Sequence, residues 1–171
     1  MSREELHPDE EAHTLAIEVF ANAALVHAKQ QRGRLVENGI QAAEKIFLEM
    51  IACKYLPSVK TLNMLMKLKS VVSFEESFKI LLYFEKFELS PTESTIRQLL
   101  RAIDIDFKMN FDFSLPASEQ ISEYSRKYVK YADAVVTVMQ THKIPMRKDI
   151  EFLFKVISPQ TLEVHSSNLI Q

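Results

Sequence analysis

Apolar positions recur at helical spacing in successive blocks, and each block stops at a breaker. From Glu11 to about Gln31, Leu15, Val19, Leu25 and Val26 mark a first helix that Gly33 ends. A second runs from Leu35 to Cys53 with Ile40, Ala43, Ile46, Phe47 and Met50 inward; Pro57 follows, and Ser58 is the expected N-cap of the next. The third, Val59 to Ser70, carries Leu62, Leu65, Met66 and Leu68. Ser73-Phe74-Glu75-Glu76 reads as a capping box, in which the serine oxygen accepts from the Glu76 amide and Glu76 reaches back. It opens a helix that buries Phe74, Phe78, Leu81, Leu82 and Phe84 and ends before Pro91. Thr92 caps a fifth helix, to about Ala102. Residues 104–117 read as an inserted loop packed by Phe107, Phe111 and Phe113. A long helix over 118–142 turns Tyr128, Ala132, Val135, Val136 and Met139 inward, Pro145 punctuates, and Asp149 to Ile157 form the last. Residues 1–10 are expected to be disordered, 11–157 to form the helical domain, and 158–171 to be a tail or the start of a further helix.

The blocks repeat. Pro57 answers Pro91, Thr61 answers Thr95 and Leu65 answers Leu99, all at a spacing of 34, and Lys45-Ile46-Phe47-Leu48 answers Lys79-Ile80-Leu81-Leu82. A period near 34 is the length of a helix-turn-helix unit that stacks into a solenoid. The fold expected is all-α, helix-turn-helix repeats stacked as a short right-handed α-solenoid.

Composition agrees with one helical domain. The chain has 171 residues, 47% of them apolar, with only 2 glycines and 6 prolines to break helices. No apolar run reaches the roughly 20 residues of a membrane span. Cys53 is the single cysteine, so neither an intrachain disulfide nor a multi-thiol zinc site can form, and its apolar surroundings predict a buried filler. Met1 to Glu11 is acidic and resembles neither a secretory signal nor an Arg-rich transit peptide.

Catalysis finds little in the residues. His7, His13, His27, His142 and His165 are scattered, none at ligand spacing, and His13 and His27 are expected at the surface. Asp104, Asp106 and Asp112 are separated by Phe and Met, with no glycine to turn a calcium loop. No phosphate-cradling glycine loop or nucleophile motif occurs. The expectation is a binding module, neither an enzyme nor a holder of metal or cofactor.

The first helix of the repeat is bulky throughout, at Leu65-Met66 and Leu99-Leu100, which disfavours a tetratricopeptide repeat with its small crossing residue. Gly39 to Met50 followed by Leu56-Pro57-Ser58-Val59-Lys60-Thr61-Leu62-Asn63-Met64-Leu65-Met66 resembles the pentatricopeptide repeat (PPR) motif. That motif carries a small residue and Phe-x-x-Met in one helix, then Pro and a Thr-aromatic-Asn-x-Leu helix. Ser73 to Leu100 resembles it more loosely, and 132–154 is degenerate.

Registered on their prolines, the three units place Lys60, Ser94 and Lys148 at one position, Asn63, Arg97 and Glu151 at the next, and Lys67, Arg101 and Lys155 at the last. Steps of three and four keep these on one side of a helix. First helices (59–70, 93–103, 147–157) hold eight basic against three acidic residues, and second helices (36–53, 73–88, 118–142) six against ten. A near-neutral chain of net charge -2 thus presents, on this reading, a basic groove with an acidic back.

The PPR resemblance implies that Asn63 with Thr92 reads one RNA base, a pyrimidine, and that Lys60, Lys67, Arg97, Arg101, Lys148 and Lys155 line a groove for single-stranded RNA. The next pair, Arg97 with Met146, does not form a code pair. The resemblance also implies RNA processing and a mitochondrial setting. The alternative is a scaffold without RNA contact that binds a protein partner or dimerises, since neither end of the repeat array shows a polar cap.

Overall fold

The computed structural model describes residues 8–30, 33–110 and 117–157, and among them the chain is all-α. Of the stretch 1–10 expected to be disordered, residues 1–7 lie outside the described residues, as do the tail 158–171 and Phe111 and Phe113, whereas Asp9 caps α1 and Glu10 is its first residue. The helices are α1 (Glu10–Lys29), α2 (Gly33–Ala52), α3 (Val59–Lys69), α4 (Phe74–Lys79), α5 (Leu81–Lys86), α6 (Glu93–Asn110), α7 (Ala117–Thr141) and α8 (Lys148–Ile157). α4 and α5 meet at Ile80, which keeps right-handed helical dihedrals (φ -65°, ψ -24°), so they act as one interrupted helix.

Capping fixes the starts. Asp9 accepts from the Ala12 amide at 2.8 Å. Ser58 accepts from the Thr61 amide at 3.2 Å while the Thr61 hydroxyl accepts from the Ser58 amide at 3.3 Å. Ser73 accepts from the Glu76 amide at 3.2 Å. The repeat returns at the next unit, where the Thr92 amide donates to the Thr95 hydroxyl at 3.0 Å.

The ends repeat as well. Lys54, Glu88 and Lys143 adopt positive φ (63°, 55°, 53°) just past α2, α5 and α7. The amide after each reaches back to a helix carbonyl: Tyr55 to Met50 at 3.0 Å, Leu89 to Phe84 at 2.9 Å, and Ile144 to Met139 at 2.8 Å. Each is a left-handed C-terminal cap of the kind glycine usually supplies, here made by long polar side chains that stay in solvent.

Packing follows from these units. α1, α3, α6 and α8 pack one on the next; α2 lies on α1 and α3, α4 on α3 and α6, α5 on α3, and α7 on α6 and α8. Among the described residues α2 makes no close backbone approach to α4 or α5, nor do α4 and α5 to α7. Side chains bridge those gaps: Phe47 meets Tyr83 edge-on at 5.2 Å, and Phe74 and Phe78 meet Tyr131 at 4.6 and 4.9 Å. One continuous core runs through Ile17, Ala21, Phe47, Leu65, Phe84, Leu99, Val135 and Phe154. α1 and α2 come close where Gly39 faces Ala24; a Cβ built on Gly39 would lie 3.2 Å from that of Ala24.

Several expectations change. α6 continues to Asn110, so 104–110 belong to a helix and not to an inserted loop. The cause is packing: Phe107 meets Tyr128 edge-on at 5.8 Å and Asp106 accepts from the Tyr128 hydroxyl at 2.7 Å, which ties the last turns of α6 to α7. His13 is buried, not at the surface, because its Nδ1 donates to the Asp9 carbonyl at 2.7 Å and its ring packs on Tyr55. Cys53 is exposed, because α2 ends at Ala52 and the thiol sits in the turn beyond it.

Candidate functional site

The residues expected to line a groove lie on the succession α1–α3–α6–α8. α3 supplies Lys60, Asn63 and Lys67, spaced so that all three share one side of the helix. That side faces α1. Lys60 pairs with Glu18 at 2.9 Å, and the Lys67 ammonium donates to the Asn22 amide oxygen at 3.2 Å. Nearer the N-terminus the Thr14 and Thr61 hydroxyls bond across the same contact at 2.9 Å. Asn63 sits between these ties and is only 6% exposed; its Oδ1 is buried without a hydrogen-bond partner. The position expected to read a base is therefore packed inside the helix layer.

Thr92 is exposed at the start of α6, but its backbone amide and hydroxyl face Thr95, and no hydrogen bond joins it to Asn63. Arg97 is half-buried. Its guanidinium bonds Asp149 of α8 through Nε and Glu93 of its own helix through Nη2 at 3.2 Å. Arg147 adds a bond to the other Glu93 oxygen at 2.7 Å, so four charges close the α6–α8 contact. The Asp149 bond raises the Arg97 pKa above its ordinary value, and the Arg97 bond lowers that of Asp149. Lys155 pairs with Glu151 at 2.7 Å. Arg101 and Lys148 are exposed and have no ion-pair partner among the described residues.

The three-unit register also shifts. Aligned on the left-handed residues Lys54, Glu88 and Lys143, position 60 answers 94 and 149, position 63 answers 97 and 152, and position 67 answers 101 and 156. Pro145 lies two residues after Lys143, whereas Pro57 and Pro91 lie three after Lys54 and Glu88, so a proline register displaces the third unit by one. Lys148 and Lys155 thus leave the positions of Lys60 and Lys67, which fall instead to Asp149 and Val156. Only Lys67 and Arg101 remain a matched basic pair.

The helices of this layer, α1 included and taken at full length, hold nine basic and eight acidic residues. The basic excess expected from shorter helices is cancelled by Glu10, Glu11 and Glu18 of α1 and by Asp104 and Asp106 at the end of α6. Sequence reasoning missed the Glu93–Arg97–Asp149–Arg147 network; the i,i+4 spacing of Glu93 and Arg97 was its one visible trace. No group of three or more His, Cys, Asp or Glu side chains gathers as a metal site among the described residues, and no helix there is long and apolar enough to cross a membrane.

No family model matches this chain, and neither a curated protein nor a solved structure matches it.

Proposed function

We propose that this chain is a short PPR-like solenoid that works as a protein-binding adaptor and does not read RNA bases. The observation that carries the reading is Asn63: a side chain packed to 6% exposure between two helices has no edge to offer a base. The ion pairs agree. Lys60, Arg97 and Lys155 are each held by a carboxylate, and phosphate would have to displace those partners to bind. The order of packing, with α1, α3, α6 and α8 in succession and α2, α4–α5 and α7 set against them, supports the helical-repeat reading. Such an array offers partners a broad surface on the side of the splayed helices, where Leu48 and Leu82, equivalent in the repeat, are 61% and 64% exposed.

A second reading rests on Lys67 and Arg101. They occupy matched positions on α3 and α6, and neither is neutralised by a carboxylate. Two cations give sequence-independent attraction for a phosphate backbone, without base discrimination.

The deciding experiment is affinity purification of the tagged chain from its own cells, split between ribonuclease and mock treatment. The adaptor reading expects the same protein partner in both, retained at high salt. Loss of every partner on ribonuclease treatment overturns it.

A further inference from the structure

The gaps between the splayed helices recur with the repeat. One lies between α2 and the α4–α5 pair, a cavity of about 280 Å³ with Phe47, Leu65 and Tyr83 in its walls. Its acidic rim is neutralised, since Glu44 pairs with Lys69 and Glu76 with Lys79. The next lies between α5 and α7, a cavity of about 320 Å³ lined by Leu81, Phe84, Leu89 and Val138, with Glu85, Glu88 and the His142 imidazole among its polar lining. Here both carboxylates are exposed and neither has an ion-pair partner among the described residues. Glu88 is also the left-handed residue that closes α5, and that cap fixes its backbone at the mouth of the gap.

An apolar slot whose two carboxylates are engaged in no salt bridge is selective in a way its neighbour is not. The apolar walls favour an aliphatic or aromatic side chain, and the edge favours a cation beside it. We infer that the α5–α7 gap docks a basic amphipathic segment of the partner protein, inserting one apolar side chain between Leu81 and Val138 and setting a lysine or arginine against Glu85 and Glu88. The inference rests on the adaptor reading and names the chemistry of its partner. The α2–α5 gap, apolar but electrically balanced, accepts a further apolar side chain of the same segment without selecting for charge.

The test titrates isotope-labelled full chain with two synthetic helical peptides of identical leucine spacing, one with lysine and one with glutamate at every polar position. The lysine peptide should move the resonances of Leu81, Leu89 and Val138 saturably, and bind about tenfold more tightly than the glutamate peptide, the scale of two exposed charge contacts. The double variant Glu85→Gln with Glu88→Gln should remove that preference while leaving the helical circular dichroism unchanged, because both side chains are exposed. Equal affinity of the two peptides, an undiminished preference in the variant, or shifts confined to other helices overturns the inference. The same resonances moving when the chain alone is concentrated makes the occupant a second copy, and also overturns it. In each case a ribonuclease-resistant partner would leave the adaptor reading standing, and loss of that partner would remove the reading itself.

Discussion

The Thr14 hydroxyl lies 2.9 Å from the Thr61 hydroxyl, buried across the contact between α1 and α3. Thr61 serves two neighbours, because it also closes the capping box with Ser58 at the start of α3. Thr61→Val should therefore cost more than Thr14→Val. Losing the reciprocal Ser58 amide–Thr61 hydroxyl bond and the cross-helix bond together should cost about 2 kcal/mol, and losing the cross-helix bond alone about 1 kcal/mol, since the Ser58 side chain still caps the residue-61 amide in both variants. Urea unfolding of the two variants measures the difference; equal losses would show that the reciprocal half of the box contributes nothing.

Asn63 tests whether a buried polar group is there for binding or merely tolerated. Its Oδ1 has no partner, so it carries a desolvation cost with no return in folding. Asn63→Leu, which keeps the number and branching of the side-chain heavy atoms, should stabilise the chain by about 1 kcal/mol where the packing admits its bulkier methyl groups. A marked loss of stability would show that the amide makes a bond the packing depends on.

The close approach of α1 and α2 at Gly39 leaves no room for a branched side chain. Gly39→Leu should force the helices apart and destabilise the chain by about 1–3 kcal/mol, despite leucine's better helix propensity. Thermal unfolding reads the result, and a neutral outcome would mean that the helix pair slides freely.

The α6–α8 network predicts a pH dependence. The bond from Arg97 depresses the Asp149 pKa below its ordinary 3.8, so its contribution is fully present above that value and is lost as pH falls through the lower, folded value. Arg97, its own pKa raised, stays charged throughout. Melting temperatures should therefore separate wild type from Asp149→Asn by a constant gap near neutral pH, and the gap should close in strong acid. Asp149 is exposed, so added salt should narrow the gap as well. A gap unchanged into strong acid would show that the carboxylate acts through shape and not through charge.

Much of this architecture is legible in the chain. The spacing of Pro57 and Pro91 marks the repeat, and the Ser58 and Ser73 caps start α3 and α4 where the residues place them. The third unit is less legible because Pro145 stands one position closer to its left-handed cap, Lys143, than Pro57 and Pro91 stand to Lys54 and Glu88. The end of α6 is hidden for a different reason. Asp106 and Phe107 read as loop residues until Tyr128, more than twenty positions away, supplies their partner. Asn63 is the plainest case at the candidate site. Its helix position is correct for a groove, yet whether that side meets solvent or α1 depends on contacts no local pattern encodes.

The account turns on whether Lys60, Lys67, Arg97 and Arg101 meet nucleic acid at all. The most direct measurement is fluorescence anisotropy of short single-stranded RNAs of differing base composition with the full chain at near-physiological and low salt. The account predicts no saturable binding at near-physiological salt and no preference among the RNAs at low salt. Saturable, base-selective binding that weakens steeply with salt, and is abolished by Lys67→Glu with Arg101→Glu, would contradict it.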